Sequence, residues 1–196
     1  MSNSYAGPVP GGLRTTEFVL RPIMAADAEK DHAAVMETRE SLRLWEQSTW
    51  PEDDFTVDAN RLDLVELEER HADRRAFTYT VLNPDGDECL GCVYVFQTSA
   101  SFLARSAVAP IGDDDWDQVD AVVYFWVRRS HSEQGMGERL LSSLRSWFLE
   151  EWQVHNVVFV TNEQFTEQVD LIRGTDLSLK FELVEPGKAG KYLVFG

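Results

Sequence analysis

Apolar and polar residues along the chain follow two periods, and the switches between them mark its elements. Glu17 to Arg21 alternates, with Phe18 and Leu20 on one face, and forms a first strand ended by Pro22. From Asp27 to Glu46 the period becomes helical, with Ala33, Val35, Met36, Leu42 and Trp45 as core candidates in one helix or two. Residues 48–54 form a loop, Thr56 is a candidate N-cap, and a second helical stretch rich in Leu and Glu runs to about His71. The period then returns to two. Phe77, Tyr79 and Val81 share one strand face, with Thr78, Thr80 and Leu82 on the other. Asn83-Pro84-Asp85-Gly86 is turn chemistry, so Phe77 to Phe96 is predicted to be a hairpin.

Gln97 to Gln118 carries little pattern, and a loop of that length in a compact domain is functional or mobile. Ala121 to Val127 is almost continuously apolar, the mark of a central strand buried on both faces. The helix after it places Met136, Leu140, Leu141, Leu144, Phe148 and Trp152 on one broad face. Val157 to Thr161 is another buried strand, Thr166 to Arg173 a short helix, and Phe181 to Val184 and Tyr192 to Phe195 are closing strands. There is no repeat and no linker. The pattern predicts a single α/β domain over residues 16–196, preceded by a loose arm at 1–15 that lacks the basic and apolar regions of a signal peptide.

Composition then narrows the function. No apolar run approaches the ~20 residues of a membrane span, so a cytoplasmic protein with no membrane partner is expected. A net charge of −16 argues against a nucleic-acid partner, which requires a basic face to displace counterions. The same charge suits a cationic or amine ligand, and it equally suits a merely solubilising surface. Cys89-Leu90-Gly91-Cys92 has the spacing of a zinc or redox pair, but no second pair accompanies it. Strand parity would send the two thiols to opposite faces, which predicts two buried free cysteines and no metal. His32, His71, His131 and His155 have no metal-ligand spacing.

The segment that carries chemistry is Val127-Arg-Arg-Ser-His-Ser-Glu-Gln-Gly135-Met-Gly137, between the buried strand and the amphipathic helix. The first amides of a helix lack internal partners and carry partial positive charge. Glycines there let a diphosphate approach closely, and Arg128 and Arg129 could add charge at the edge. A Rossmann loop would need glycine where Leu140 stands, and a Walker loop would need Lys-Ser/Thr where Glu138 and Arg139 follow Gly137. An anion cradle and a plain helix start packed tightly on its strand both remain open.

The order of elements, together with Val127, Gly135 and Gly137 at matching spacings and the opening Thr16-Glu-Phe-Val-Leu-Arg-Pro-Ile, resembles the GNAT N-acetyltransferase superfamily over roughly Phe18 to Phe195. The resemblance implies an α/β (α+β) fold with a mixed central sheet of about seven strands flanked by helices and splayed between its fourth and fifth strands. It implies acetyl-CoA as the cofactor, with the diphosphate on Ser132, Glu133, Gln134, Gly135, Met136, Gly137 and Glu138. The pantetheine would run along Trp126 and Val127, and Asn162 would bond it or cap a turn. The activity would be acetyl transfer to an amine on a small molecule or peptide by direct attack, and the family leaves room for a homodimer. Three positions depart from the pattern: Ser132 replaces the family's Arg or Gln, Ile172 stands where a Tyr would protonate the thiolate, and Ala121 stands near the usual Glu. Asp120 and Tyr124, on one strand face by parity, are the catalytic candidates. Trp45, Trp50, Phe102 and Trp116 are candidates to line the acceptor site. A non-catalytic acyl-CoA sensor or an interaction domain with this fold is the alternative.

Overall fold

A computed structural model describes residues 6–196. In chain order the elements are β1 (Leu13–Arg14), β2 (Val19–Pro22), α1 (Ala28–Glu46), α2 (Val57–Ala72), β3 (Phe77–Leu82), β4 (Cys89–Phe96), β5 (Ala107–Pro110), β6 (Ala121–Val127), α3 (Arg129–Ser132), α4 (Met136–Trp147), β7 (Val157–Asn162), α5 (Thr166–Arg173), β8 (Leu179–Val184) and β9 (Tyr192–Phe195). The strands form one nine-stranded sheet in the order β1-β2-β3-β4-β6-β7-β9-β8-β5. Every neighbouring pair is antiparallel except β6 and β7.

Side-chain alternation along the strands feeds a core on each face. Val123 and Phe125 join Leu140, Leu141, Leu144 and Trp147 of α4, whose apolar stripe is the one its period predicts. Val122, Tyr124 and Trp126 join Val35, Leu42 and Trp45 of α1 and Leu64 of α2. Ala28–Glu46 is one continuous helix after a short 3-10 turn at Ala25–Asp27, and Thr56 caps α2 by accepting the Ala59 amide at 3.1 Å. Within α1 the buried stripe is Asp31, Ala34, Val35, Thr38, Leu42 and Trp45; Ala33 is exposed and Met36 half-buried. Asp31 is held by Asn60 Nδ2 at 2.9 Å, and burial raises its carboxyl to about 6.

Four expectations change. The sheet has nine strands, because Leu13–Arg14 and Ala107–Pro110 add short edge strands. The second of these arises inside the stretch that showed no pattern and pairs with β8. Residues 1–5 lie outside the described residues, but the rest of the expected loose arm is docked. Pro10's carbonyl accepts the Tyr79 hydroxyl at 2.7 Å, and Gly12's accepts the Trp147 indole N–H at 3.2 Å. The helix after β6 begins at Met136, as its pattern predicts, but a separate turn, α3, replaces the expected loop before it and a π-helical turn at Phe148–Trp152 ends it. Finally, Cys89 and Cys92 are free and buried, yet they join the same core, under α1.

The cause of that last change is a register shift between β3 and β4, where Val81 pairs with Gly91 and Leu82 with Cys89. The extra residue reverses parity across Leu90-Gly91. Gly91 has φ +154°, and a Cβ there would lie 2.2 Å from the Trp126 carbonyl oxygen. Only glycine permits this approach of β4 to β6. Gly91→Ala is expected to destabilise the fold by about 2–4 kcal/mol, seen as a lower urea midpoint; an unchanged midpoint would mean the bulge relaxes at no cost.

Candidate active site

The parallel strands β6 and β7 pair only through Ala121–Val157, Val122–Val158 and Val123–Phe159. Beyond Val123 they diverge, and the freed edges form a V. Main-chain groups alternate sides along a strand. Because the Trp126 carbonyl faces Gly91 of β4, Phe125 and Val127 turn their main-chain groups into the V. Of the two residues expected along the pantetheine, Val127 turns its main-chain groups into the V, with Phe125, and Trp126 turns its own toward β4. The Trp126 indole is buried in the α1 core and donates to the Tyr94 hydroxyl at 3.2 Å.

On the α4 side, Phe125, Val127, Ser132, Gly137, Gln168 and Leu171 border a narrow cleft. Gln168 Nε2 donates to the Phe125 carbonyl at 2.8 Å, while its buried Oε1 has no partner. The amides of Ser132, Glu133, Gln134 and Gly135 donate to Arg128, Arg129, His131 and Ser132 carbonyls at 2.9–3.2 Å, so the α3 turn consumes four of the amides expected to face a diphosphate. Those of Met136, Gly137 and Glu138, in the first turn of α4, are left without intrahelical partners. Gly135 turns the chain into that helix with φ +75°. Gly137 has a packing role, since a Cβ would meet Leu171 Cδ1 at 2.4 Å. The Met136 side chain belongs to the core, while Glu133, Gln134 and Glu138 are exposed.

Arg128 is committed away from this loop, while the exposed Arg129 stands beside a loop carboxylate. Arg128 pairs with Glu37 at 2.6 Å and Glu88 at 2.9 Å, and Arg129 lies 3.6 Å from Glu133. Glu37 also accepts the Ser130 amide at 3.0 Å, and Thr38 the Arg129 amide at 3.1 Å, so α1 caps α3. Arg128 and Ser130 both hold the Glu37 carboxyl below its usual range against some burial.

On the α1 and α2 side the V opens into a chamber of about 450 Å³. Trp45, Trp50 and Phe102 line it as expected. Trp116 does not; it packs edge-on against Phe181 at 5.2 Å. Tyr124, the first β6 residue past the last β7 pair, lines the chamber and donates its hydroxyl to Glu185 Oε1 at 3.1 Å. Burial, then the adjacent Glu185 charge, pushes the Tyr124 phenol well up, so it stays protonated. Burial also raises the Glu185 carboxyl, with Glu46 adding to the effect. Glu185 lies just past β8 in a loop whose sequence carries no period, and only the topology brings it 61 residues back to Tyr124.

Asp120 is placed elsewhere. It is exposed at the closed end of β6, four residues from Tyr124, and its carboxylate accepts the amides of His155 at 3.1 Å and Asn156 at 2.9 Å. It braces the entry to β7 and does not meet the V. Asn162 is buried beside Tyr192 on β9, and its Oδ1 caps a turn by accepting the Gln164 amide at 2.7 Å.

A sheet splayed at one parallel pair, with a helix start on one face of the V and a chamber on the other, is the fold of the GNAT N-acetyltransferases, and the chain has that fold. It is similar to the ribosomal-protein-S5-alanine acetyltransferase of Vibrio fischeri, at 16% identity and TM-score 0.65 over 94% of each chain. It is similar to Mycobacterium smegmatis RimJ in complex with CoA-disulfide, at 16% identity and TM-score 0.68 over 94% of this chain and 84% of that one. The microcin C7 self immunity acetyltransferase MccE, in complex with acetyl-CoA and AMP, superposes at TM-score 0.66 and 11% identity over 97% and 98%. No protein-family model and no curated protein sequence matches the chain. Among the described residues, no helix is long and apolar enough to cross a membrane.

Asp120→Ala leaves two amides to water and is expected to lower stability by about 1 kcal/mol, read from urea unfolding. No change in midpoint would show that the brace carries no load.

Proposed function

We propose that the protein is an N-acyltransferase that moves an acetyl group from acetyl-CoA to a primary amine bound at the same time. The observation that carries this reading is the V between β6 and β7, with free main-chain edges inside it and a Tyr124–Glu185 pair at its apex. The CoA and acetyl-CoA bound to the structural neighbours support the same ligand here, and their names, an alanine acetyltransferase among them, support an amine acceptor.

The residues fit a coenzyme A moiety by their backbone. Phe125 and Val127 would hold the pantetheine amides, and the Met136, Gly137 and Glu138 amides the diphosphate, with Ser132 at its side. The orphaned Gln168 Oε1 is a buried polar atom that flanks the V with capacity to spare. Gln168 releases the Phe125 carbonyl when that edge is used. Bound there, the thioester supplies an activated acyl carbon.

The chain's own residues do the rest. The chamber walls hold the amine beside the V and exclude water, so most of the acceleration is proximity. Glu185 accepts the ammonium proton, because only the neutral amine is a nucleophile. Tyr124 keeps its phenolic proton and fixes the carboxylate by its hydrogen bond. A carboxyl raised by burial is protonated, and idle as a base, up to a higher pH than an exposed one. Transfer therefore rises with pH along a limb displaced upward from the ordinary carboxylate range.

Calorimetric titration with acetyl-CoA, combined with free-thiol release in the presence of amines, tests the reading; binding without thiol release would favour a sensor. Gly135→Asp, which puts a carboxylate and a strained left-handed residue at the start of α4, is expected to weaken acetyl-CoA binding at least about tenfold. A folded variant with unchanged affinity would remove the diphosphate from this loop. Glu185→Gln is expected to lower kcat about a hundredfold and to abolish the acid limb of the pH profile. A profile that keeps its limb would assign the proton to another group.

A further inference from the structure

The chamber has a composition that the acetyl-transfer reading does not require. Its walls are largely aromatic: Trp45, Trp50, Tyr94, Phe96, Phe102 and Tyr192 stand around Tyr124. They meet edge-on or tilted, with Phe96–Phe102 centroids at 4.9 Å, Trp45–Tyr94 at 5.8 Å and Trp45–Tyr124 at 6.2 Å. Hydrogen-bonding groups in the walls are mostly committed. The Tyr94 hydroxyl accepts the Trp126 indole N–H, Tyr124 donates to Glu185, and the Tyr192 hydroxyl donates to the Glu46 carbonyl at 3.3 Å. Among these buried groups the Trp45 indole N–H is the one without a partner, so such walls present little that could read a peptide backbone or a chain of amines.

The charges are unbalanced in a specific way. Four carboxylates line the chamber: Glu46, Asp63, Glu66 and Glu185. Glu46 pairs with Lys188 at 3.0 Å, and Glu66 takes Arg70, the one cation in the lining. Among the described residues, neither Asp63 nor Glu185 forms an ion pair. Two carboxylates without an ion-pair partner, the half-buried Glu185 and the exposed Asp63, therefore meet a cage of aromatic rings, with Lys188 offsetting part of the Glu185 charge. Carboxylates in such a cage attract a ligand cation, and ring faces strengthen that attraction while burying an apolar body.

We propose that the acceptor is a compact arylalkylamine: one ammonium on a short linker to an aromatic ring, with the nitrogen at Glu185 and the ring among Trp45, Phe96 and Phe102. The proposal rests on the acetyl-transfer reading for its chemistry, but the recognition belongs to the chamber alone. A polyamine would bring several charges past walls with two free carboxylates. A peptide beginning with a small residue would leave the rings uncovered, whereas a flat ring packs against them. In the transfer step Glu185 takes the ammonium proton, the neutral amine nitrogen bonds to the acetyl carbon, the carbon–sulfur bond breaks, and the second proton shed by the nitrogen goes to the leaving thiolate, after which Glu185 returns its proton to water.

The test compares 2-phenylethylamine, spermidine and a short peptide with an N-terminal alanine as acceptors with acetyl-CoA. In parallel, tryptophan fluorescence of the intact chain is titrated with each amine in the absence of acetyl-CoA, since Trp45 and Trp50 report occupancy of the chamber. Expected are a kcat/KM for 2-phenylethylamine at least tenfold above the other two and a saturable fluorescence change with that amine only. Phe102→Ala, a change at the chamber's wall, is expected to cut the preference to threefold or less. Preferred transfer to spermidine or to the peptide would overturn the arylalkylamine assignment and leave acetyl transfer standing. Saturable binding of 2-phenylethylamine without transfer to any amine would uphold the ligand class and overturn the acetyl-transfer reading. Absence of both binding and transfer with 2-phenylethylamine would overturn the proposal.

Discussion

Within the sheet, three residue pairs join the two halves of this protein. Five strands lie on one side of the β6–β7 junction and four on the other, and Ala121–Val157, Val122–Val158 and Val123–Phe159 are the pairs that connect them. If β6 and β7 paired along their whole length, the sheet would be continuous and there would be no site. The site exists because pairing stops at Val123, leaving Phe125 and Val127 with main-chain groups that a sheet would normally satisfy. Gln168 covers one of those groups from α5. The bulge at Gly91 lies directly across β6 from the V, where β4 presses against the Trp126 carbonyl.

How much of this could be read from the sequence depended on burial. Strands β6 and β7 and the apolar face of α4 are buried, and their patterns located them within a residue or two. Ala107–Pro110 was invisible because an edge strand of four half-exposed or exposed residues carries no alternation. The bulge escaped because it hangs on one glycine, and the parity argument for Cys89 and Cys92 failed with it. The GNAT-like order of elements was legible; the use of its loop was not. Which amides of residues 132–138 are spent depends on whether the segment winds into a turn before the helix, and Ser132 to Gly135 do so.

The residues proposed to handle the proton were the hardest to read. Asp120 sits next to the right strand but at its closed end, where it serves two amides of the loop before β7. Glu185 comes from a Pro-Gly loop with no period, and burial together with Tyr124 gives it chemical significance. The net charge of −16, which suited either a cationic ligand or a soluble surface, has a local component after all. Carboxylates line the chamber, while several of the basic side chains are tied up in ion pairs.

Helix α1 touches both mouths of the V. Glu37 and Thr38, near its middle, hold Arg128 and the first amides of α3, while Trp45 and Glu46, two turns on, form the chamber wall. A helix is stiff over that distance, so the loop beside one face and the cage on the other share a single rigid lever. If occupancy of the loop shifts α1, it changes affinity in the chamber by some factor, and thermodynamic linkage requires the chamber to change affinity at the loop by the same factor. The two faces of this sheet then form a cooperative pair, joined through Glu37 and not through the bound molecules alone.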